Sequence, residues 1–156
     1  MSQEIIRHHR NQLGGKFTSM QLAYPSKIIV AWAEAIGGKK EIREWLLQSE
    51  YKELGLFVHA LHHQEGARKW LMENGFPHLM ALIHGAEGSP NAILWLRKHQ
   101  LDVLQHMALA ADNKDDSLIW LMSNGFQDMA MVAQRIRKVK NDLEDSNNDV
   151  HRISIY

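Results

Sequence analysis

The sequence predicts an all-α fold, a right-handed superhelix of about four stacked two-helix units of 25 residues with half a unit in front of them. Three observations predict it. Trp45, Trp70, Trp95 and Trp120 recur at a constant interval of 25 residues, and self-similarity at a fixed period of about 20–50 residues marks stacked repeats. Within each unit the apolar columns lie three and four residues apart. The turn residues recur in the same columns as well.

Taking the columns from each Trp, Leu46, Leu71, Leu96 and Leu121 follow it directly. Six residues after it stand Tyr51, Phe76, Leu101 and Phe126; nine after it, Leu54, Leu79, Leu104 and Met129; twelve after it, Phe57, Leu82, Met107 and Val132. Steps of three and four put side chains on one face of a helix with about 3.6 residues per turn. Ala67, Trp70 and Leu71 show that spacing, as do Ala92, Trp95 and Leu96. One short helix therefore crosses the Trp, and a second begins just after the aromatic column. Asn74-Gly75 and Asn124-Gly125 share a column, and Gly just past a helix end takes the left-handed conformation that satisfies the last carbonyls. Pro77 opens a second helix, where its missing N–H costs nothing. Ser89-Pro90 and Asp115-Asp116 open Trp helices with cap-type residues. The Trp ladder itself is expected to be core, shared between neighbouring units.

In chain order, residues 1–140 read as one helical-repeat domain, with 1–44 as cap and half-unit and 45–140 as the Trp-led units. Residues 2–13 suit a short polar helix ended by Gly14-Gly15, and Lys16 to Ala23 a second apolar segment. Ile29, Trp32 and Ile36 fall in the columns of Leu54, Phe57 and Leu61, so Lys27 to Ile36 is a second helix without its Trp helix. The last helix is longer and ends in the basic run QRIRKVK, which suits a helix C-terminus. Residues 141–156 read as a polar, flexible tail, with a weak strand-like alternation in VHRISIY.

Paired short helices with apolar columns over roughly residues 20–140 resemble the α-solenoids of the armadillo and HEAT class. The period of 25 is nearer to short bacterial leucine-rich-repeat-variant arrays, which LDVLQHMALAADNKDDSLIWLM resembles in its rhythm. The Trp-Leu ladder and the Asn-Gly-Phe turns depart from both. The resemblance implies a stacked helical fold and leaves function to the surface.

The chain of 156 residues suits one domain, and an apolar share of 45% suffices for a core. Lys plus Arg equals Asp plus Glu at 18 each, which speaks against a dedicated binder of nucleic acid or anionic membrane. With no Cys there is no disulfide framework and no thiolate metal site. The opening MSQEIIRHHRNQ lacks a signal-peptide core, and the apolar run Ile28 to Ile36 is interrupted by Glu34 and too short to cross a bilayer. A cytoplasmic protein is expected, with no membrane partner and no cofactor.

Function is carried by surfaces rather than motifs. Columns seven, ten, fourteen and seventeen residues after each Trp form a polar stripe, and Lys52, His59, His62, His84, Glu87, Asp102 and Gln105 are its candidate partner-binding residues. Stacked units turn such a stripe into a continuous surface, so a scaffold for a protein or peptide partner is expected, without catalysis. An alternative is a metal-dependent hydrolase. His59 and His63 are four residues apart and His84 repeats the column of His59, so three imidazoles approach the three-ligand requirement of zinc, although HExxH is absent. A third is weak nucleic-acid binding through Arg135, Arg137, Lys138 and Lys140, against which a solvated helix end is the simpler reading. Gly14-Gly15 and Gly37-Gly38 lack the flanks of a phosphate loop, and no Ser-His-Asp or Cys-His arrangement is present.

Overall fold

The computed structural model describes residues 24–153, and among them there are nine α-helices and no strand. Long and short helices alternate. The long ones are α1 (Ser26–Ile36), α3 (Lys52–Leu61), α5 (Pro77–Ala86), α7 (Asp102–Ala111) and α9 (Gln127–Ile153). The short ones are α2 (Lys40–Gln48), α4 (Glu65–Glu73), α6 (Pro90–Lys98) and α8 (Asp115–Ser123). The period of 25 holds for the starts of α2, α4, α6 and α8 and for those of α3, α5, α7 and α9.

The turns keep the same period. Left-handed backbone occurs at Gly38, His63, Gly88 and Asn113 after long helices, and at Gly75, Gln100 and Gly125 after short ones. At each, the next residue reaches back to the helix. Gln64 N bonds His59 O at 3.1 Å, Ser89 N bonds His84 O at 2.9 Å, and Phe126 N bonds Leu121 O at 2.8 Å. This is the Schellman closure, which satisfies carbonyls that the helix end leaves open. The junction after α2 differs. The Ser49 hydroxyl donates to Leu46 O at 2.7 Å and accepts from Tyr51 N at 3.0 Å, so a side chain does the work of a left-handed residue.

The core follows the predicted columns, with one reversal. Leu46, Leu71, Leu96 and Leu121 are fully buried, as are Leu54, Phe57, Leu82, Met107 and Val132. The Trp column is not core. Trp45 is 53% exposed, and Trp70, Trp95 and Trp120 are half-buried. Adjacent residues on a helix point about 100° apart. A short helix touching the body along one stripe therefore buries either Trp or the Leu after it, and Leu takes that place beside Ala67 and Ala92. The indoles lie flat along the helix flank. Trp70 stacks on Phe76 at 5.8 Å, Trp95 on His99 at 4.0 Å and Trp120 on His106 at 3.9 Å, between ring centroids. Trp32, in α1, is the buried one, edge-on to Phe57 at 5.0 Å.

The long helices pack against one another and each short helix packs on its flanking long ones. Close approach is set by Gly85. A Cβ there would meet Ala108 Cβ of α7 at 2.8 Å and Ile93 Cδ1 of α6 at 2.9 Å. The first and last described helices meet. Helix α9 packs against α7 on one side and α1 on the other, and also touches α3 and α5. The Ser26 hydroxyl donates to Asp128 Oδ2 at 3.0 Å across that seam.

Helix α9 extends into the expected tail. It runs unbroken to Ile153, through the polar stretch read as flexible and through most of VHRISIY. Asn113 and Asn141 exchange amide hydrogen bonds at 3.2 and 3.0 Å, holding this part of α9 to the turn after α7. Ile136 is in the core, Val139 packs against it, and Leu143 is half-buried along the concavity it shares with Leu61. The expected helix over 2–13, the apolar segment 16–23 and the end of the chain after Ile153 lie outside the described residues. Among the described residues no helix is long and apolar enough to cross a membrane.

Candidate binding surface

The predicted stripe is divided. Its middle column is covered, since Gly55 and Met80 are buried and Gln105 half-buried. A Cβ on Gly55 would lie 2.8 Å from Leu47 of α2, so a short helix lies over this part of the long one. What remains is two rims about 10–15 Å apart, at the 1.5 Å rise of a ten-residue helix. The N-terminal rim carries Lys52, Pro77 and Asp102; the Lys52 ammonium lies 5.5 Å over the Trp70 ring. The C-terminal rim carries His59, His62, His84, Glu87, Leu109 and Asp112.

On that rim the three metal-candidate histidines part company. His63 and His84 converge on Glu87, with Nε2 of His63 3.7 Å from Oε2 and Nδ1 of His84 3.7 Å from Oε1. A guanidinium stands beside that carboxylate. Arg68 donates through Nη2 to Glu87 Oε1 at 3.2 Å and through Nε to Ala60 O at 2.9 Å, with His63 Nδ1 3.3 Å from Nη2. His59 faces Arg43 and Glu44 instead. Burial lowers its pKa, the Arg43 cation lowers it further, and Glu44 opposes both. Burial likewise lowers His62, helped by the neighbouring His59, Arg43 and His63. No group of three or more His, Asp or Glu placed to hold a metal ion occurs among the described residues. Arg68, a residue that a search by metal-ligand type passes over, pairs with the carboxylate that His63 and His84 approach.

Two concavities open along the rim. One, of about 370 Å³, lies between the end of α5, α6 and the end of α7. Its floor is Gly85, Ile93 and Leu109, and its edges are Leu94, Arg97 and Asp112. Leu94 is 45% exposed, one of a scatter of outward apolar residues on the short helices that includes Met72, Ile119 and Met122. The second, of about 190 Å³, lies where α9 crosses the ends of α3 and α5, between Leu61, His63 and Glu87 on one side and Lys140, Leu143 and Asn147 on the other. Ile93, Leu94, Arg97, Leu143 and Asn147 were not singled out in the sequence, because the first three sit on Trp helices read as core and the others in a stretch read as tail.

Most of the basic run of α9 is paired within the chain, while Arg135 is exposed. Arg137 pairs with Asp115 at 3.0 Å and donates to Ala110 O at 2.8 Å; Lys138 pairs with Asp142 at 3.0 Å. Lys140 is buried, between Asp112 at 3.5 Å and Glu144 at 4.0 Å. Comparison of the chain with models of protein families, with curated proteins and with solved structures finds no match.

Proposed function

We propose that this chain is a helical-repeat scaffold, a right-handed superhelix of four two-helix units whose ends have closed together, and that it binds a protein or peptide partner in the cytoplasm without catalysing a reaction. The observation that carries the reading is the 370 Å³ groove beside α6, where an apolar floor lies between an exposed cation, Arg97, and a carboxylate, Asp112. Binding sites combine apolar lining with a few polar groups that fix orientation. The pairing of the basic side chains on α9 and the balance of charge both favour a polypeptide over nucleic acid.

Selection of displayed peptides on the folded protein tests it. Enriched peptides are expected to lose binding to a Leu94→Asp, Arg97→Glu variant and to keep it on a Lys52→Glu, Asp102→Lys variant. The reverse pattern would move the partner to the N-terminal rim. Failure to enrich any peptide that competes at either rim would overturn the scaffold reading.

A further inference from the structure

The groove is the site of a missing arginine. Ala60, Gly85 and Ala110 occupy one column at intervals of 25, each at the C-terminal end of a long helix. Each carbonyl accepts a turn N–H, from His63, Gly88 and Asn113 at 3.0, 3.0 and 3.1 Å. A carbonyl oxygen has two lone pairs. At Ala60 the second bond comes from Arg68 Nε at 2.9 Å, and at Ala110 from Arg137 Nε at 2.8 Å. Both guanidinium groups also reach a carboxylate, Glu87 for Arg68 and Asp115 for Arg137. The middle unit has neither cation. Ile93 stands in the column of Arg68 and Asp112 in the column of Arg137, and among the described residues Gly85 O has no second donor. There the 370 Å³ groove opens.

The groove retains the groups that Arg68 uses 25 residues earlier. Asp112 stands in the column of Glu87, the partner of Arg68. Its carboxylate lies beside the turn glycine Gly88, whose Cβ would be 3.9 Å from Oδ1, and among the described residues it pairs with Lys140, at a long 3.5 Å. The end of α5 adds the negative pole of its helix. Ile93 and Leu109 supply apolar walls for an aliphatic stem. A planar guanidinium delivers Nε to a carbonyl and Nη to a carboxylate together, which an ammonium on a flexible stem cannot match.

We propose that the groove takes an arginine side chain from a partner peptide, the guanidinium bridging Gly85 O and Asp112 and the stem lying on Ile93 and Leu109. Arg97 at the mouth meets an acidic residue next to that arginine. This rests on the scaffold reading and names the residue that the scaffold recognises.

The test is titration of the ¹⁵N-labelled full chain with the peptide Ac-Gly-Arg-Glu-Gly-NH2 and its lysine and citrulline counterparts. Saturable shifts are expected at the Gly85, Gly88, Leu109 and Asp112 amides, with the counterparts binding about ten-fold more weakly. Asp112→Asn is expected to weaken the arginine peptide by a similar factor. Ile93→Arg places an internal guanidinium where Arg68 has one, and should abolish binding. If that variant misfolds, Asp112→Asn and the citrulline peptide still decide. Equal binding of all three peptides, shifts away from the groove, or no saturable shift would overturn the proposal. Enriched displayed peptides that occupy the groove without arginine would overturn it and leave the scaffold reading standing.

Discussion

Trp95 and Leu96 are adjacent, yet they carry unequal shares of the stability. Leu96 has no exposed surface, and truncating such a side chain costs about 2–5 kcal/mol through lost burial and the cavity left behind. Trp95 is half-buried and stacked on His99. Trp95→Ala should therefore lose only about 1–2 kcal/mol, the scale of an aromatic pair with partial burial. Urea denaturation of the two variants orders them, and a larger loss at Trp95 would restore the Trp column to the core. His106 carries the pH dependence at this scale. It stacks on Trp120, its Nδ1 lies 3.0 Å from the Ser117 hydroxyl, and burial lowers its pKa from 6.5 although Asp102 opposes the shift. A histidine held below its unfolded value is more protonated when unfolded. Its contribution is fully present above pH 6.5 and is lost as pH falls from there through the lower folded pKa. His59 and His62 act in the same direction. The melting temperature should fall between about pH 7 and 5, and His106→Gln should flatten that slope; a slope unchanged in the variant would assign the effect elsewhere.

At the scale of helices and turns, the sequence made the period, the existence of each helix pair and most core columns legible. Each of these is a local signal repeated, and repetition multiplies its weight. The choice between Trp and the next Leu was not legible, because both sit near the same face and only the contact geometry of a nine-residue helix separates them. The helical continuation of α9 had a signal that polarity hid. Ile136, Val139 and Leu143 continue a helical spacing into the acidic stretch. Removing residues 141–156 should thus cost about 1–2 kcal/mol, from the Asn113–Asn141 pair and the packing of Leu143, where loss of a flexible tail would cost nothing measurable. The turns offer the opposite sign of change. Gln100 has a φ of 56°, in the column where Gly75 and Gly125 stand. Left-handed backbone costs a non-glycine residue about 1–2 kcal/mol. Gln100→Gly should therefore raise the chemical denaturation midpoint, by roughly 1 kcal/mol of stability after the entropy cost of glycine.

For the whole molecule, the meeting of α1 with α9 matters more than any single unit. It left no periodic trace. Ser26 and Asp128 lie 102 positions apart, and nothing in either column announces the other. The polar stripe depended on packing as well: α2 lies over Gly55, which helps separate the candidate residues into two rims, and part of the groove falls on a Trp helix read as core. In an open array each unit touches only its neighbours, so the first helix would not sense the last. Here both faces of α9 are engaged, and Val132 and Ile136 are fully buried. The absence of cysteine makes the closure directly measurable. Ser26→Cys with Asp128→Cys introduces two thiols on either side of this seam, where the Ser26 hydroxyl now meets the Asp128 carboxylate at 3.0 Å. A short bifunctional thiol reagent, which spans the extra bond that the Asp side chain supplies, should give one intramolecular crosslink in high yield in the folded variant at low protein concentration, visible as a shift in electrophoresis. Prior unfolding in urea should suppress it. A loop of about 100 residues closed in this way restricts the unfolded chain and adds up to about 4–5 kcal/mol, less any strain in the bridge. Crosslinking only between molecules, or equal yields in water and in urea, would mean that α1 and α9 do not meet in solution.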